Sequence, residues 1–245
     1  MRLHVHQWGD GPRIVLVHGI ILGGRYAWVE QRPLAERWTL VAPDRPGHGE
    51  TPADGRQDFE RDAGLVADQV LDETGHVVGL SYGAIVAALA AARRPAVVRS
   101  LTLVEPPAWA LVPDDPEVVA YGSRRPMPEE DGADPRQILE AIFDYLDIDL
   151  PLPDPLPAPL EQGARALVGL RHPGEAQLRL EELAGAGFPS LVVTGGHNHA
   201  FEAVADAIAP ALDAERAVIP GAGHLVPSTG EPFNARLEHF LRSSE

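Results

Sequence analysis

The tightest constraint in this chain is the stretch His76-Val77-Val78-Gly79-Leu80-Ser81-Tyr82-Gly83-Ala84. A short apolar run ends there in Gly-x-Ser-x-Gly, and an alanine-rich segment follows at once. Such a pattern asks for a strand, a sharp turn and a helix, with the serine at the tip of the turn. The demand is steric. To push its hydroxyl out of so tight a turn, the serine takes a strained backbone conformation, and neighbouring chain must pass close by. Gly79 and Gly83 carry no Cβ and permit that approach. The five-residue motif alone recurs by chance, and an idle serine in an ordinary strand-to-helix turn is the bland alternative. Here Ala84 to Ala92 reads as a buried, closely packed helix, which supplies the missing context.

On either side of this stretch the chain alternates strand and helix signals. Leu3 to Trp8 alternates apolar and polar residues, and Gly9-Asp10-Gly11-Pro12 then makes a turn. Arg13 to Val17 is a continuous β-branched run of the kind buried on both faces of a parallel sheet. The glycine-rich loop His18-Gly19-Ile20-Ile21-Leu22-Gly23-Gly24 follows it, at the edge where open α/β sheets bind ligands. Trp28 to Arg37 reads as a helix and Thr39 to Ala42 as a strand. Asp58 to Thr74 reads as an acidic amphipathic helix with Ala63, Val66, Ala67, Val70 and Leu71 on one face. Val97 to Val104 is a buried strand that ends in Glu105-Pro106-Pro107, and Pro189 to Thr194 another. Ala200 to Leu212 reads as a helix, Ala217 to Pro220 as a strand, and Phe233 to Leu241 as a closing amphipathic helix. The expected class is therefore α/β, with a mostly parallel sheet flanked by helices.

Residues 106–187 change character. Prolines cluster at 113, 116, 126, 128 and through Leu150 to Pro159, and Glu129-Glu130-Asp131 is an acidic run. Helical stretches lie near Pro135 to Leu146, Leu160 to Leu170 and Glu175 to Ala184. Ile138, Leu139, Ile142, Phe143, Tyr145 and Leu146 are too apolar for a solvated linker, and a segment this long inside a domain is usually a lid or a separate element.

Three motifs carry a resemblance. His18-Gly19 after one strand, Asp44-Arg45-Pro46-Gly47-His48-Gly49 after the next, and Gly79-Leu80-Ser81-Tyr82-Gly83 stand in the order found in the α/β-hydrolase fold family. The resemblance covers residues 1–105 and 188–245, which it implies to be the core domain. Residues 106–187 would be the inserted, mainly helical cap. It also implies that Ser81 is a nucleophile. A serine hydroxyl needs a base near neutral pH, and the resemblance places that base at His224, in Gly221-Ala222-Gly223-His224 after the last strand. His18 and His48 fall in loops that orient backbone. Main-chain N–H groups of Tyr82 and of Ile20 would hold the oxyanion, with Ile21 the alternative to Ile20.

The acid departs from the family's commoner pattern. The position that usually carries an aspartate is Asn198, in Gly195-Gly196-His197-Asn198-His199. An asparagine there can hold the wrong imidazole tautomer, a change that costs about 10⁴ in a serine protease. Glu105, at the end of the strand after the elbow helix, offers a relocated acid, as in certain haloalkane dehalogenases and a group of lactonases of this fold. Asp44, Glu202 and Asp206 are weaker alternatives. His197-x-His199 hints at zinc but has no third ligand at a recognisable spacing. No phosphate loop, dinucleotide glycine pattern or cofactor lysine is visible, so no cofactor and no metal are expected.

The expected activity is hydrolysis of a small or medium apolar carboxylic ester or lactone by a Ser81–His224–Glu105 triad through an acyl-enzyme. Ile21, Leu22, Trp28, Trp109, Leu111, Phe143 and Leu225 are candidates for the pocket on loop location alone. Carbon–carbon bond hydrolysis, thioesterase or amidase activity on the same triad, and a non-catalytic small-molecule receptor, are the rivals. A serine at the elbow argues against haloalkane dehalogenation and epoxide hydrolysis, which in this fold use an aspartate there. The formal net charge of −16 disfavours nucleic acid and anionic membrane surfaces as partners. Cysteine is absent, which removes disulfides and thiolate chemistry. The N-terminus alternates like a strand and has no signal-peptide architecture, so a cytoplasmic location is expected. The sequence is silent on oligomeric state.

Overall fold

Seven strands pair into a single sheet in the computed structural model, which describes residues 1–124 and 132–245. Pro126, Pro128 and Glu129-Glu130-Asp131 lie outside the described residues. The strands are β1 (Val5–Trp8), β2 (Arg13–Val17), β3 (Thr39–Pro43), β4 (Gly75–Leu80), β5 (Val98–Val104), β6 (Ser190–Thr194) and β7 (Glu215–Val218). Their order is β1-β3-β2-β4-β5-β6-β7, with β1 antiparallel to β3 and every other pair parallel. Strands β3, β4 and β6 are buried at every residue, as parallel strands covered on both faces must be. The last strand sits two residues earlier than the apolar run Ala217–Pro220 suggests. It lies at the sheet edge, where Glu215 and Arg216 can join the ladder while facing solvent.

The helices are α1 (Gly24–Ala27), α2 (Phe59–Gln69), α3 (Tyr82–Arg93), α4 (Pro116–Gly122), α5 (Pro135–Tyr145), α6 (Ala158–Ala166), α7 (Leu180–Gly185), α8 (His199–Ala211) and α9 (Glu231–Ser243). Residues alternate across each strand, so the sheet feeds two cores. Ile14, Leu16, Leu40, Val78 and Val193 pack with Trp28, Trp38, Phe233 and Phe240 on one side. Val15, Val17, Val77, Leu101 and Val192 pack with α2, α3 and α8 on the other. The helix expected over 28–37 is instead α1 followed by a 3-10 segment, Val29–Glu36, with Pro33 inside it. Proline has no N–H for an α-helical bond and clashes with the preceding turn.

Between β5 and β6 the chain builds α4 to α7. Asp115 caps α4 by accepting from the Glu117 and Val118 amides, and Asp134 caps α5 from the Arg136 amide. Each is followed by proline at the first helical position, a strong start signal. Helix α4 was not expected, because seven residues are too few to show a period. Helices α6 and α7 are shorter than their apolar patterns, and a 3-10 turn at Pro173–Glu175 precedes α7. Ile138, Leu139, Ile142, Tyr145 and Leu146 are buried in the same core as α3 and α8. The described part of 106–187 is thus packed onto the sheet layer and is no solvated linker.

The topology sets where chemistry can occur. β2 leads to β3 on one side and β4 leads to β5 on the other, so the strand order reverses between β2 and β4. The crevice beyond the C-terminal ends of strands at such a reversal is where open α/β sheets bind ligands. Here the loops after β2 and β4 meet there.

Candidate active site

Ser81 joins β4 directly to α3 with φ 54° and ψ −126°. That region is strained for a residue with a Cβ, and two close approaches sustain it. A Cβ on Gly79 would stand 2.4 Å from the Gly83 carbonyl oxygen, and one on Gly83 would stand 2.3 Å from that of His18. The Ser81 amide donates to the Val104 carbonyl at 2.8 Å, which carries the β4–β5 ladder one step past the strand. The hydroxyl is thereby aimed into the crevice by the sheet itself.

Ser81 Oγ lies 2.9 Å from His224 Nε2. On the other edge of the ring, Nδ1 lies 3.3 Å from Glu105 Oε2. Glu105 is fully buried and, like Ser81, has positive φ, at 49°. Its amide donates to the Val193 carbonyl at 2.9 Å, and its Oε1 accepts the Gly195 amide at 2.6 Å. One carboxylate oxygen is thus fixed by backbone and the other is left facing imidazole. A carboxylate in that place accepts an Nδ1–H, which leaves the Nε2 lone pair for the serine. His197 Nδ1 stands 3.8 Å from Glu105 Oε1. Burial lowers its pKa, with Glu105 opposing and His224 adding to the fall, so the second imidazole is held neutral.

The other acid candidates are occupied elsewhere. Asn198 caps α8, its Oδ1 accepting the Ala200 amide at 2.9 Å and its Nδ2 donating to Asp147 Oδ2 at 2.9 Å. The latter contact ties the start of α8 to the loop after α5. Asp44 accepts the amides of Gly24 at 2.7 Å and Glu50 at 3.0 Å. Glu202 and Asp206 both pair with Arg216.

The loop after β2 is held by His18 and His48, as their loops suggest, and by Arg45, Gln57 and Asp62, whose part in it the sequence does not show. Arg45 is fully buried and donates to the carbonyls of His18 and Gly19, to Gln57 Oε1 and to Asp62 Oδ2, the last at 2.8 Å. His18 Nε2 accepts the Arg45 amide at 2.9 Å. The Ile20 carbonyl accepts from His48 Nε2 at 3.0 Å and Gln57 Nε2 at 3.1 Å. In a trans peptide the N–H points opposite its C=O. Anchoring the Gly19 and Ile20 carbonyls on one side therefore turns the Ile20 and Ile21 amides to the other. Burial, reinforced by the Arg45 charge, holds His18 well below its ordinary pKa and His48 down at about 4. Both rings are therefore neutral. The signals that could have found this network were Arg45 in a turn of breakers and Asp62 in the first turn of α2; each reads as an ordinary solvated charge.

Two cavities meet at Ser81. One, of about 130 Å³, is lined by Ile20, Ile21, Leu22, Phe143, Leu146 and Leu225 as well as Ser81 and His224. The other, of about 30 Å³, is bounded by Ile20, Ser81, Tyr82, Trp109, Tyr145 and Phe201. Helix α5 lines both, so the inserted segment forms part of the pocket wall. Trp28 and Leu111 do not belong to this pocket. Trp28 is wholly buried on the far side of the sheet among Leu34, Trp38 and Phe233, because it closes α1 and turns into that core. Leu111 ends a 3-10 turn whose Trp109 faces the cavity, and itself packs against the core. A larger cleft of about 700 Å³ runs between residues 46–57 and 162–169 but contains neither Ser81 nor His224. His197 and His199 do not converge: His199 is exposed and pairs with Asp115 at 3.0 Å.

The model of the alpha/beta hydrolase family matches residues 14–236. Over 105 residues the chain is 42% identical to the pimeloyl-[acyl-carrier protein] methyl ester esterase of Chromobacterium violaceum; the match covers 42% of this chain and 41% of that one. The chain thus spans about two fifths of the length of that relative. Among solved structures, a membrane phospholipase A described as a bacterial virulence factor is 26% identical, with a TM-score of 0.70 over 99% of this chain and 83% of that one. An N-acyl homoserine lactonase is 21% identical, with a TM-score of 0.70 over 99% and 93%, a likeness of fold.

Proposed function

The chain belongs to the alpha/beta hydrolase family, and from that premise we propose that it is a serine hydrolase cleaving small apolar carboxylic esters or lactones. The single observation that carries the reading is Ser81 Oγ set 2.9 Å from His224 Nε2 at the junction of two apolar cavities. Ser81 attacks the acyl carbonyl as His224 Nε2 takes its proton. Glu105 holds the ring and offsets the imidazolium charge. The oxyanion meets the Tyr82 amide, at the positive end of α3, and the Ile20 amide turned by the anchored Gly19 carbonyl. Ile21 is the alternative second donor. His224 then protonates the leaving alkoxide. In the second half the same nitrogen takes a proton from water, which attacks the acyl-enzyme and releases the acid and free Ser81.

The cavities favour small substrates. The lesser one has room for about one or two heavy atoms on a water-sized measure. It would take the shorter arm of the ester, and the larger, mostly apolar one the longer arm. We propose that residues 106–187 act as a cap that closes this pocket, since Phe143, Leu146 and Leu160 supply one of its walls. Ester hydrolysis is preferred over the receptor reading, whose motive was Asn198. In the fold that residue is a helix cap, and the 3.3 Å approach of Glu105 Oε2 to His224 Nδ1 supports Glu105 as the acid.

The test is covalent labelling by a fluorophosphonate, with Ser81→Ala as control, followed by rates on p-nitrophenyl esters of rising acyl length and on small lactones. Labelling confined to Ser81, with fastest turnover on short esters or lactones, is the expected result. A folded wild type that neither labels nor hydrolyses any of them would overturn the proposal.

A further inference from the structure

A second cluster of chemistry-bearing residues lies at the opposite edge strand and has no part in the proposed reaction. His4 and His6 point from the same face of the chain at β1, two residues apart. Their rings are 4.6 Å apart, and His6 stacks on Trp8 at 5.7 Å with an interplanar angle of 8°. His6 Nε2 is 3.0 Å from Asp44 Oδ2, and His4 Nε2 is 3.4 Å from Glu50 Oε1. The ligand atoms of His4, His6 and Asp44 all lie within 4.8 Å of one another. Two imidazoles and one carboxylate thus converge where β1 meets the turn after β3, with the Glu50 carboxylate beside His4.

We propose that His4, His6, Asp44 and Glu50 form a site for a divalent transition metal of the zinc class. Zinc takes imidazole nitrogen and carboxylate oxygen at about 2.0–2.2 Å in a tetrahedron. The edges of such a tetrahedron are about 3.3–3.5 Å; the His6–Asp44 and His4–Glu50 pairs stand at 3.0 and 3.4 Å, and His4, His6 and Asp44 lie within 4.8 Å of one another, so side-chain adjustment would close the set on the ion. The supporting groups are also present. Asp44 is buried, with Oδ1 held by the Gly24 amide at 2.7 Å and Oδ2 touched by the Glu50 amide at 3.0 Å, while Trp8 fixes the plane of His6. Contacts of this kind orient ligands before the metal arrives. Glu50 is 62% exposed at its side chain and His4 38%, which gives the ion a way in.

Bound there, the metal would pin β1 to the turn 44–51. The same turn carries Arg45 and His48, which hold the Gly19 and Ile20 carbonyls. The expected role is structural: a clamp on the base of the loop beside Ser81.

The test uses the full, untagged chain stripped with a chelator and titrated with Zn²⁺ by calorimetry and with Co²⁺ by visible absorption. One equivalent should bind, Co²⁺ should show the intense bands of tetrahedral coordination, and the melting temperature should rise with metal concentration. Both His4→Ala and Glu50→Gln, at exposed positions that leave the core intact, should weaken binding by about tenfold or more. The buried trio Glu105, His197 and His224 is the competing location, and His197→Ala reports on it. Absence of binding overturns the proposal. So does binding that survives His4→Ala and Glu50→Gln, or that disappears in His197→Ala alone.

Discussion

Replacing Glu105 with glutamine tests the relocated acid at nearly constant shape. The wild-type carboxylate uses Oε1 to accept the Gly195 amide at 2.6 Å and Oε2 to face His224 Nδ1 at 3.3 Å. An amide in its place has one acceptor and one donor. If its oxygen keeps the Gly195 amide, its NH₂ faces Nδ1, which must then accept. The ring proton moves to Nε2, against the Ser81 hydroxyl, and the base is lost. If the amide flips, two donors face each other at Gly195, and a buried unpaired group costs about 1–3 kcal/mol. That alone is about tenfold to hundredfold in rate. Loss of the carboxylate's charge opposite the imidazolium adds to it, and the comparable change in a serine protease costs about 10⁴, or about 5.5 kcal/mol. Glu105→Gln should therefore lower kcat on a short p-nitrophenyl ester by about 10²–10⁴ with KM little changed, while circular dichroism and the melting temperature stay near wild type. A folded variant losing less than about tenfold would refute the argument, because the acid would then have to lie outside the 3.3 Å contact.

Asn198→Ala should leave kcat near wild type and cost about 1 kcal/mol of stability, the ordinary worth of a helix cap, read from urea unfolding; a large loss of kcat would return the acid's role to this position. Arg45→Met should do the reverse of a surface change, since it takes one of two arginine partners from the buried Asp62, leaving Arg61, unpairs Gln57 Oε1 and the His18 carbonyl, and frees the Gly19 and Ile20 loop. A loss of about 3–5 kcal/mol is expected, with residual folded enzyme slow in kcat rather than weak in binding. Burial holds His18 well below its usual pKa and His48 and His76 near 4, whereas in the unfolded chain all three protonate near 6.5. Unfolding therefore takes up protons between about pH 4 and 6.5, and stability falls as pH drops through that window, by about 1.4 kcal/mol per pH unit for each proton; urea midpoints that stay flat from pH 7 to 5 would contradict it. Phe143→Ala should widen the larger cavity and raise relative kcat/KM for longer acyl chains, with short esters little affected.

What was legible in the sequence is what sterics and local pattern dictate. Ser81 could be read because only a glycine-flanked turn lets a strand pass so sharply into a helix. Buried strands such as Arg13–Val17 could be read because a parallel strand covered on both faces leaves a continuous apolar run. Glu105 is legible only through the resemblance, some members of which take their acid from that strand end, joined to an asparagine, Asn198, at the commoner acid position. The Gly195 amide that fixes Oε1 comes from another strand and leaves no local mark. The pocket list failed at Trp28 for a related reason. An aromatic residue just after a loop can turn to either face of the sheet, and Trp28, closing α1, turns into the far core.

The least legible part is the buried polar frame around Arg45. A solvated arginine and a buried one look alike in sequence; what separates them is how many acceptors converge from elsewhere in the chain. Here the His18 and Gly19 carbonyls, Gln57 and Asp62 do so, across two loops and a helix. A guanidinium is suited to this because its five donors form a planar fork that can satisfy several acceptors without rearranging. With fixed charges buried nearby, His18 and His48 are kept neutral, and a neutral ring presents one donor and one acceptor in a set order. His18 then accepts the Arg45 amide, and His48 donates to the Ile20 carbonyl. The guanidinium at the Gly19 carbonyl thus sets the direction of the Ile20 amide, and His48 at the Ile20 carbonyl that of the Ile21 amide. The same logic separates the two halves of the site. Ser81 is placed by backbone sterics that a single stretch can encode, whereas the loop after β2 is placed by a charge network that exists only once β2, β3 and α2 have come together.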